Sequence, residues 1–270
     1  PADDSPSATP PPLIEGSPTV INEAQFSPDG ARIVLASLNN TAIITDLQGD
    51  RPAVALLGHR GPVLSAAFSP DGRRVATASE DGIVREWDAG TGLLIYTLEG
   101  HDAKVESVAF SPDGKLLASA GADGTAHLWD AVGNSAGVLR GHTNVVWSVA
   151  FSPDGAWLVT ASEDGTARVW DALTGEEQFT LTGHEAGVNG AAFSPDGRTI
   201  ATAGSDRSVR LWDAQTGSPL ANLTLHTDRV LGVAFSPDGR YIVTASADGT
   251  ARVFIYRLED LLALASEVVK

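Results

Sequence analysis

The pentapeptide Phe-Ser-Pro-Asp-Gly occurs six times, beginning at Phe26, Phe68, Phe110, Phe151, Phe193 and Phe235. Successive copies lie 42, 42, 41, 42 and 42 residues apart. A histidine series (His59, His101, His142, His184, His226) keeps step with it, and an aspartate follows each histidine by 22 residues (Asp81, Asp123, Asp164, Asp206, Asp248). Six residues further on stand Trp87, Trp129, Trp170, Trp212 and Phe254. A sequence this periodic, with a single one-residue change of length, describes one supersecondary unit stacked on copies of itself.

Each unit reads as four short strands. An apolar run such as VESVAF (105–110) leads into Ser-Pro-Asp-Gly, where proline presets φ and Asp-Gly supplies the positive φ of a tight hairpin. KLLASAG (115–121), a second Asp-Gly turn and TAHLWD (125–130) follow, and LLIYTLEG (93–100) is the outer strand of the preceding unit. The first two strands are apolar on both faces, so protein must cover the sheet on both sides. Radial stacking achieves this, each sheet covering its neighbour. The first unit is degenerate: Ser17, Asn39 and Thr45 replace its histidine, aspartate and tryptophan, as terminal repeats commonly do.

Composition narrows the class further. The 43% of apolar residues supports a sizeable core, and 28 glycines suit many tight turns. The absence of cysteine excludes disulfides and thiolate metal sites and fits a reducing, cytoplasmic setting. The longest apolar runs fall well below the ~20 residues of a membrane span, so no membrane partner is expected. A net charge of −16 repels phosphate backbones, so nucleic acid is not expected either. The sequence contains no methionine, as expected of a processed chain or a part of a longer one.

The GH…FSPDG…S-x-D-G…WD pattern at this period resembles the WD40-repeat β-propeller over roughly residues 13–256. The resemblance implies an all-β fold of six four-stranded blades, with seven as the alternative if a further unit of about 42 residues completes the ring. It also implies that an N-terminal strand closes the last blade. Aligning Ile21 with Val105 sets Ile14-Glu15-Gly16-Ser17 over Leu98-Glu99-Gly100-His101 and assigns that strand to Pro11–Glu15. The domains expected are therefore a Pro/Ser-rich acidic linker (1–10), the propeller (11–256) and a short amphipathic helix (257–270). Leu258, Leu261, Leu262, Ala265 and Val268 stand at helical spacing in that last segment. Its placement is similar to the tails of propellers in bacterial STAND-type signalling proteins.

A His-Asp-Trp set repeated in every full unit has the composition of catalytic machinery. Five equivalent copies are what a fold needs, however, and no nucleophile accompanies them. They are expected to fasten the strands of each blade. The family often extends this set with a Ser or Thr, and because alanine precedes each aspartate by three (Ala78, Ala120, Ala161, Ala203, Ala245), the network is expected to be trimmed to three residues. His127 stands in a column otherwise filled by Arg85, Arg168, Arg210 and Arg252, and is expected to be a solvated strand position. The ten Asp-Gly pairs are hairpin turns, one per strand connection, rather than a D-x-D-x-D calcium loop. No phosphate loop, HExxH or GxSxG is present, so neither metal nor cofactor is expected.

Function is sought where equivalent positions disagree. Just after the conserved Val or Ile of the first strand stand Asn22, Leu64, Glu106, Trp147, Asn189 and Leu231. Just before it stand Val20, Pro62, Lys104, Val145, Gly187 and Arg229, and before the turn Asp stand Leu38, Glu80, Ala122, Glu163, Ser205 and Ala247. All three columns belong to one end of the ring, at the mouth of a central channel. WD40 propellers commonly bind peptides or proteins on that face. The expected site therefore comprises Trp147, Leu64, Glu106, Asn189, Leu231, Lys104, Arg229, Glu80 and Glu163, with Trp147 as the aromatic anchor. Trp157, after the turn at the opposite face, is a weaker candidate.

The expected function is a non-catalytic protein- or peptide-binding scaffold, the sensor or interaction part of a larger signalling protein. A purely structural, consensus-like or engineered repeat is the alternative. An enzyme is the third reading, and it requires Glu80, Glu106 and Glu163 to converge in one pocket.

Overall fold

The computed structural model describes residues 20–49, 51–224 and 226–256. The linker at 1–10, the closing strand at Pro11–Glu15 and the helix at 257–270 lie outside the described residues.

Within them the chain forms successive antiparallel sheets, each a simple meander. Blade 1 comprises β1 (Ile21–Phe26), β2 (Arg32–Ser37), β3 (Thr41–Asp46) and β4 (Val54–Leu57); blade 2 comprises β5 (Val63–Phe68), β6 (Arg74–Ser79), β7 (Val84–Asp88) and β8 (Leu94–Leu98). Blade 3 is β9 (Val105–Phe110), β10 (Leu116–Gly121), β11 (Thr125–Asp130) and β12 (Ser135–Arg140). Blade 4 is β13 (Val146–Phe151), β14 (Trp157–Ser162), β15 (Thr166–Asp171) and β16 (Glu177–Thr182). Blade 5 is β17 (Val188–Phe193), β18 (Thr199–Gly204), β19 (Ser208–Asp213) and β20 (Pro219–Thr224), and blade 6 is β21 (Val230–Phe235), β22 (Tyr241–Ser246) and β23 (Ala251–Ile255). All are four-stranded except blade 6, which has three strands among the described residues.

The Ser-Pro-Asp-Gly turn works as its residues dictate. In blade 2, Ser69 Oγ donates to Asp71 Oδ1 (2.6 Å) and accepts the Arg74 N–H (2.9 Å), while Asp71 also accepts the Arg73 N–H (3.0 Å). These bonds from Ser69 and the backbone hold the Asp71 carboxyl below the usual carboxylate range. Gly72 takes a φ of +67°, open to glycine and strained for most other residues.

The second strand lies almost wholly inside in blades 2 to 5 and less so in blades 1 and 6. β18 is buried at every position, and β6, β10 and β14 at five of six. Apolar side chains pool between neighbouring blades: Val34 and Leu56 of blade 1 with Val75 and Trp87 of blade 2, and Leu98 with Leu117 and Trp129 across the next interface. Burying one such tryptophan contributes roughly 4–6 kcal/mol of transfer free energy, as an upper bound. Arginines add directional ties. Arg74 donates to Gly114 O of blade 3 (3.1 Å) and to the buried Glu86 (2.8 Å), and its guanidinium lies over the Phe110 ring.

The first strands pack in succession, β1 on β5, β5 on β9, β9 on β13, β13 on β17 and β17 on β21. Among the described residues that packing is not repeated between β21 and β1, and no core cluster joins blade 6 to blade 1. The consequence shows in equivalent residues. Phe26 is 63% exposed where Phe68 is 6%, and Val253 is 63% exposed where Leu128 is 2%. The described blades therefore form a ring with an unpacked seam.

Candidate functional site at the channel mouth

The histidine series is a fastener, and it has one more member than the sequence reading gave it. His142 Nδ1–H donates to Asp164 Oδ2 at 2.8 Å, and His142 Nε2 accepts from the Thr160 hydroxyl at 2.8 Å. Thr160 Oγ1 in turn accepts the Trp170 indole N–H at 2.9 Å. Thr77, Ser119 and Thr202 hold the same place in their blades, and Thr244 bonds His226 where Phe254 offers no donor. The network is thus Asp-His-Ser/Thr-Trp, not trimmed. The hydroxyl stands four residues before the aspartate, and the alanine three before it points to the opposite face, into the core.

The electrostatics suit a static role. Desolvation lowers the pKa of His59, His101, His142 and His184, keeping each imidazole neutral with its Nδ1–H on the carboxylate. Burial opposes ionisation of Asp164, but hydrogen bonds from Thr166, His142 and the Thr143 N–H outweigh it and hold the carboxyl at about 2. Asp81 and Asp123 sit at about 2 by the same balance.

His127 departs from its expectation. It is 5% exposed, not solvated, with its ring 4.1 Å from that of His101 and stacked 5.4 Å from Trp129. The arginines of its column are themselves half-buried, so the column is not a solvated one in the other blades either. Burial and the neighbouring His101 lower its pKa to about 4.

The variable columns meet at one end of the channel. In every blade the residue after the conserved Val or Ile is skipped in the strand pairing. Val63 pairs with Ser79 and Ser65 with Ala78, leaving Leu64 over. Val146 pairs with Ser162 and Ser148 with Ala161, leaving Trp147. Asn22, Glu106, Asn189 and Leu231 are left over in the same way. Each is a β-bulge, which frees a side chain from the ladder and aims it out of the sheet. These six residues, one from each blade, line a single cavity of about 320 Å³. The other two columns flank it and are bonded to each other: the N–H of Glu80, Ala122, Glu163 and Ala247 donates to Pro62, Lys104, Val145 and Arg229 O at 2.9 Å.

Polar side chains tie this mouth together across blades 3, 4 and 5. Lys104 Nζ lies 3.0 Å from Glu106 Oε1 and 5.9 Å from the centre of the Trp147 ring. Trp147 donates its Nε1–H to Glu163 Oε2 at 2.9 Å. A Cβ on Gly187 would lie 2.5 Å from that same Oε2, so the bare glycine makes room for the Glu163 carboxylate. Burial raises the Glu106 pKa, and the nearby charge of Glu80 adds to this against the pull of Lys104.

Trp147, Leu64, Glu106, Asn189 and Leu231 are thus brought together, with Lys104 and Glu163 in contact with them. Glu80 and Arg229 are exposed on the rim, outside the cavity lining. Glu23, which sequence reasoning missed, also lines the cavity and accepts the Ala66 N–H at 3.2 Å. Its alternation into the channel from β1 is the signal that could have found it. Trp157 is half-buried against the core of blades 4 and 5.

Glu80 and Glu163 are exposed and lie outside the lining that holds Glu106, which removes the three-glutamate pocket the enzyme reading required.

Residues 51–88, 92–130, 133–171, 175–213 and 217–254 match the family described as WD domain, G-beta repeat. No curated protein sequence matches the chain significantly. The matched segments cover more than half of the chain, each running from the outer strand of one blade through the third strand of the next; the protein belongs to the WD40 family.

Proposed function

We propose that this protein is a non-catalytic scaffold that binds a protein or peptide segment at the channel mouth. WD40 repeats are generally protein-interaction scaffolds. The finer reading rests on one observation: six bulged residues, one per blade and all different from their neighbours, converge on one cavity. A fold needs the bulge; it does not need Asn, Leu, Glu, Trp, Asn and Leu in that order. Trp147 is the anchor, half-buried and oriented by Glu163, and Lys104 and Glu106 offer charge of both signs beside it. A short extended segment with an apolar side chain near a polar or charged one matches this lining.

The setting we propose is the sensor or interaction part of a larger signalling protein, a role supported by the Pro/Ser-rich stretch of the kind that tethers domains.

Selection from a displayed peptide library tests the site. The wild-type protein should enrich a consensus, and Trp147→Ala should lose its binding at least about tenfold while melting at an unchanged temperature. Equal binding by both proteins removes Trp147 from the site, and no enrichment by either favours the purely structural reading.

A further inference from the structure

Blade 3 contains a second constellation that peptide recognition does not use. His101, Asp123 and His127 each offer one ligand atom, and these atoms lie within 4.8 Å of one another. The arrangement depends on the single histidine in a column of arginines. In blade 2 the column residue Arg85 sets its Nη1 2.9 Å from Asp81 Oδ2, so a guanidinium supplies positive charge to the His-Asp pair. In blade 3 His127 takes that place. It is 5% exposed, and neither ring nitrogen makes a hydrogen bond within the described residues.

We propose that His101, Asp123 and His127 bind a divalent transition-metal ion, zinc foremost, which takes the position the arginine charge occupies in blade 2. Two imidazoles and a carboxylate, without thiolate, form a donor set for zinc that leaves a fourth position for water. His101 Nδ1 and Asp123 Oδ2 are 2.9 Å apart. Metal–ligand bonds of about 2.0–2.2 Å at tetrahedral angles place two ligand atoms roughly 3.3–3.5 Å apart. The pair therefore needs to part by only about half an ångström.

The hydrogen bonding accommodates the change. The ion replaces the proton on His101 Nδ1, and the ring takes up a proton from solvent at Nε2 as that one leaves, a change of tautomer with no net proton released. His101 Nε2 then carries the ring proton and donates to Ser119 Oγ, 2.9 Å away, which already accepts from Trp129 and has a second lone pair for this bond. Like Gly204 in blade 5, and unlike Ser79, Ser162 and Ser246 in other blades, Gly121 leaves room for the His and Asp side chains. A Cβ there would lie 2.4 Å from His101 Nδ1 and 2.9 Å from Asp123 Oδ1. The ion would join the loop before β9, the β10–β11 turn and β11, stapling blade 3 at the point where its arginine tie is missing.

The test uses tag-free, metal-stripped protein titrated with Co²⁺, followed by visible absorption, and with Zn²⁺ by calorimetry. The wild type should bind one equivalent and show the absorption of a nitrogen- and oxygen-ligated cobalt site. Thermal unfolding should shift upward with Zn²⁺. His127→Arg, which restores the residue of the other blades, and the neutral His127→Gln should both fold normally, bind at least about tenfold more weakly and lose the zinc-dependent shift. Absence of stoichiometric binding by the wild type overturns the proposal. So does binding of equal strength by either variant.

Discussion

The indole N–H of Trp147 points at the carboxylate of Glu163, 2.9 Å away, in the turn that follows the neighbouring strand of the same blade. The bulge puts the ring in the mouth, and this bond sets its orientation. Glu163→Leu should therefore leave stability within about 0.5 kcal/mol, since the site is exposed, yet weaken a selected peptide severalfold. Glu163→Gln, which keeps an acceptor oxygen, should bind almost as the wild type does. Titration calorimetry with that peptide separates the two. Gly187→Ala should mimic Glu163→Leu, because its methyl group would occupy the place of the carboxylate.

In each fastener the hydroxyl carries two bonds at once. Thr160→Val keeps the shape but leaves the His142 Nε2 without a donor and the Trp170 N–H without an acceptor, both inside the blade. Urea unfolding should show a loss of about 2–4 kcal/mol. Thr160→Ser should cost less than about 1 kcal/mol, since Ser119 performs the same task in blade 3. Asp164→Ala should be comparably destabilising while the mouth retains its ligand.

Stability should fall in acid in two stages. His59, His142 and His184 have depressed pKa values, so the unfolded chain binds more protons than the native one once pH drops below about 6.5, and stability declines from there. Asp81 and Asp164 sit at about 2, below their unfolded values near 4, and add a second decline between about pH 5 and 2. Thermal melting from pH 8 to 3 should fall along both segments. A flat profile between pH 7 and 5 would contradict neutral, buried imidazoles.

Arg207 adopts a φ of +70° in the turn where blades 2, 3, 4 and 6 place the glycine of Asp-Gly and blade 1 places Asn40. Arg207→Gly relieves that strain and should stabilise the protein by roughly 0.5–1 kcal/mol, measured by chemical unfolding.

Much of this was legible because repetition separates structure from everything else. The Ser-Pro-Asp-Gly turns, the His-Asp pairs and the four-strand unit follow from residue types whose local chemistry allows little else. The hydroxyl column was missed because it was sought one residue off, where strand alternation turns Ala161 into the core and Thr160 toward the histidine. His127 was misplaced because a column of arginines reads as solvated, whereas Arg85, Arg168, Arg210 and Arg252 are half-buried. The bulges left no sequence sign. They are properties of pairing between two strands, and the alternation within β13 alone does not show that Trp147 is left unpaired. Variation among blades still marked the right column, which is why the mouth could be found before its geometry was known.

The unpacked seam gives this stack two ends. In a closed circle every blade has two neighbours, and none can loosen without opening an interface on each side. Among the described residues blades 1 and 6 are each packed from one side, so fraying of these six blades should begin there and move inward, with blades 3 and 4 protected longest. The anchor Trp147 sits in blade 4 and its companions Lys104 and Glu106 in blade 3. Recognition is thus housed in the described blades expected to come apart last.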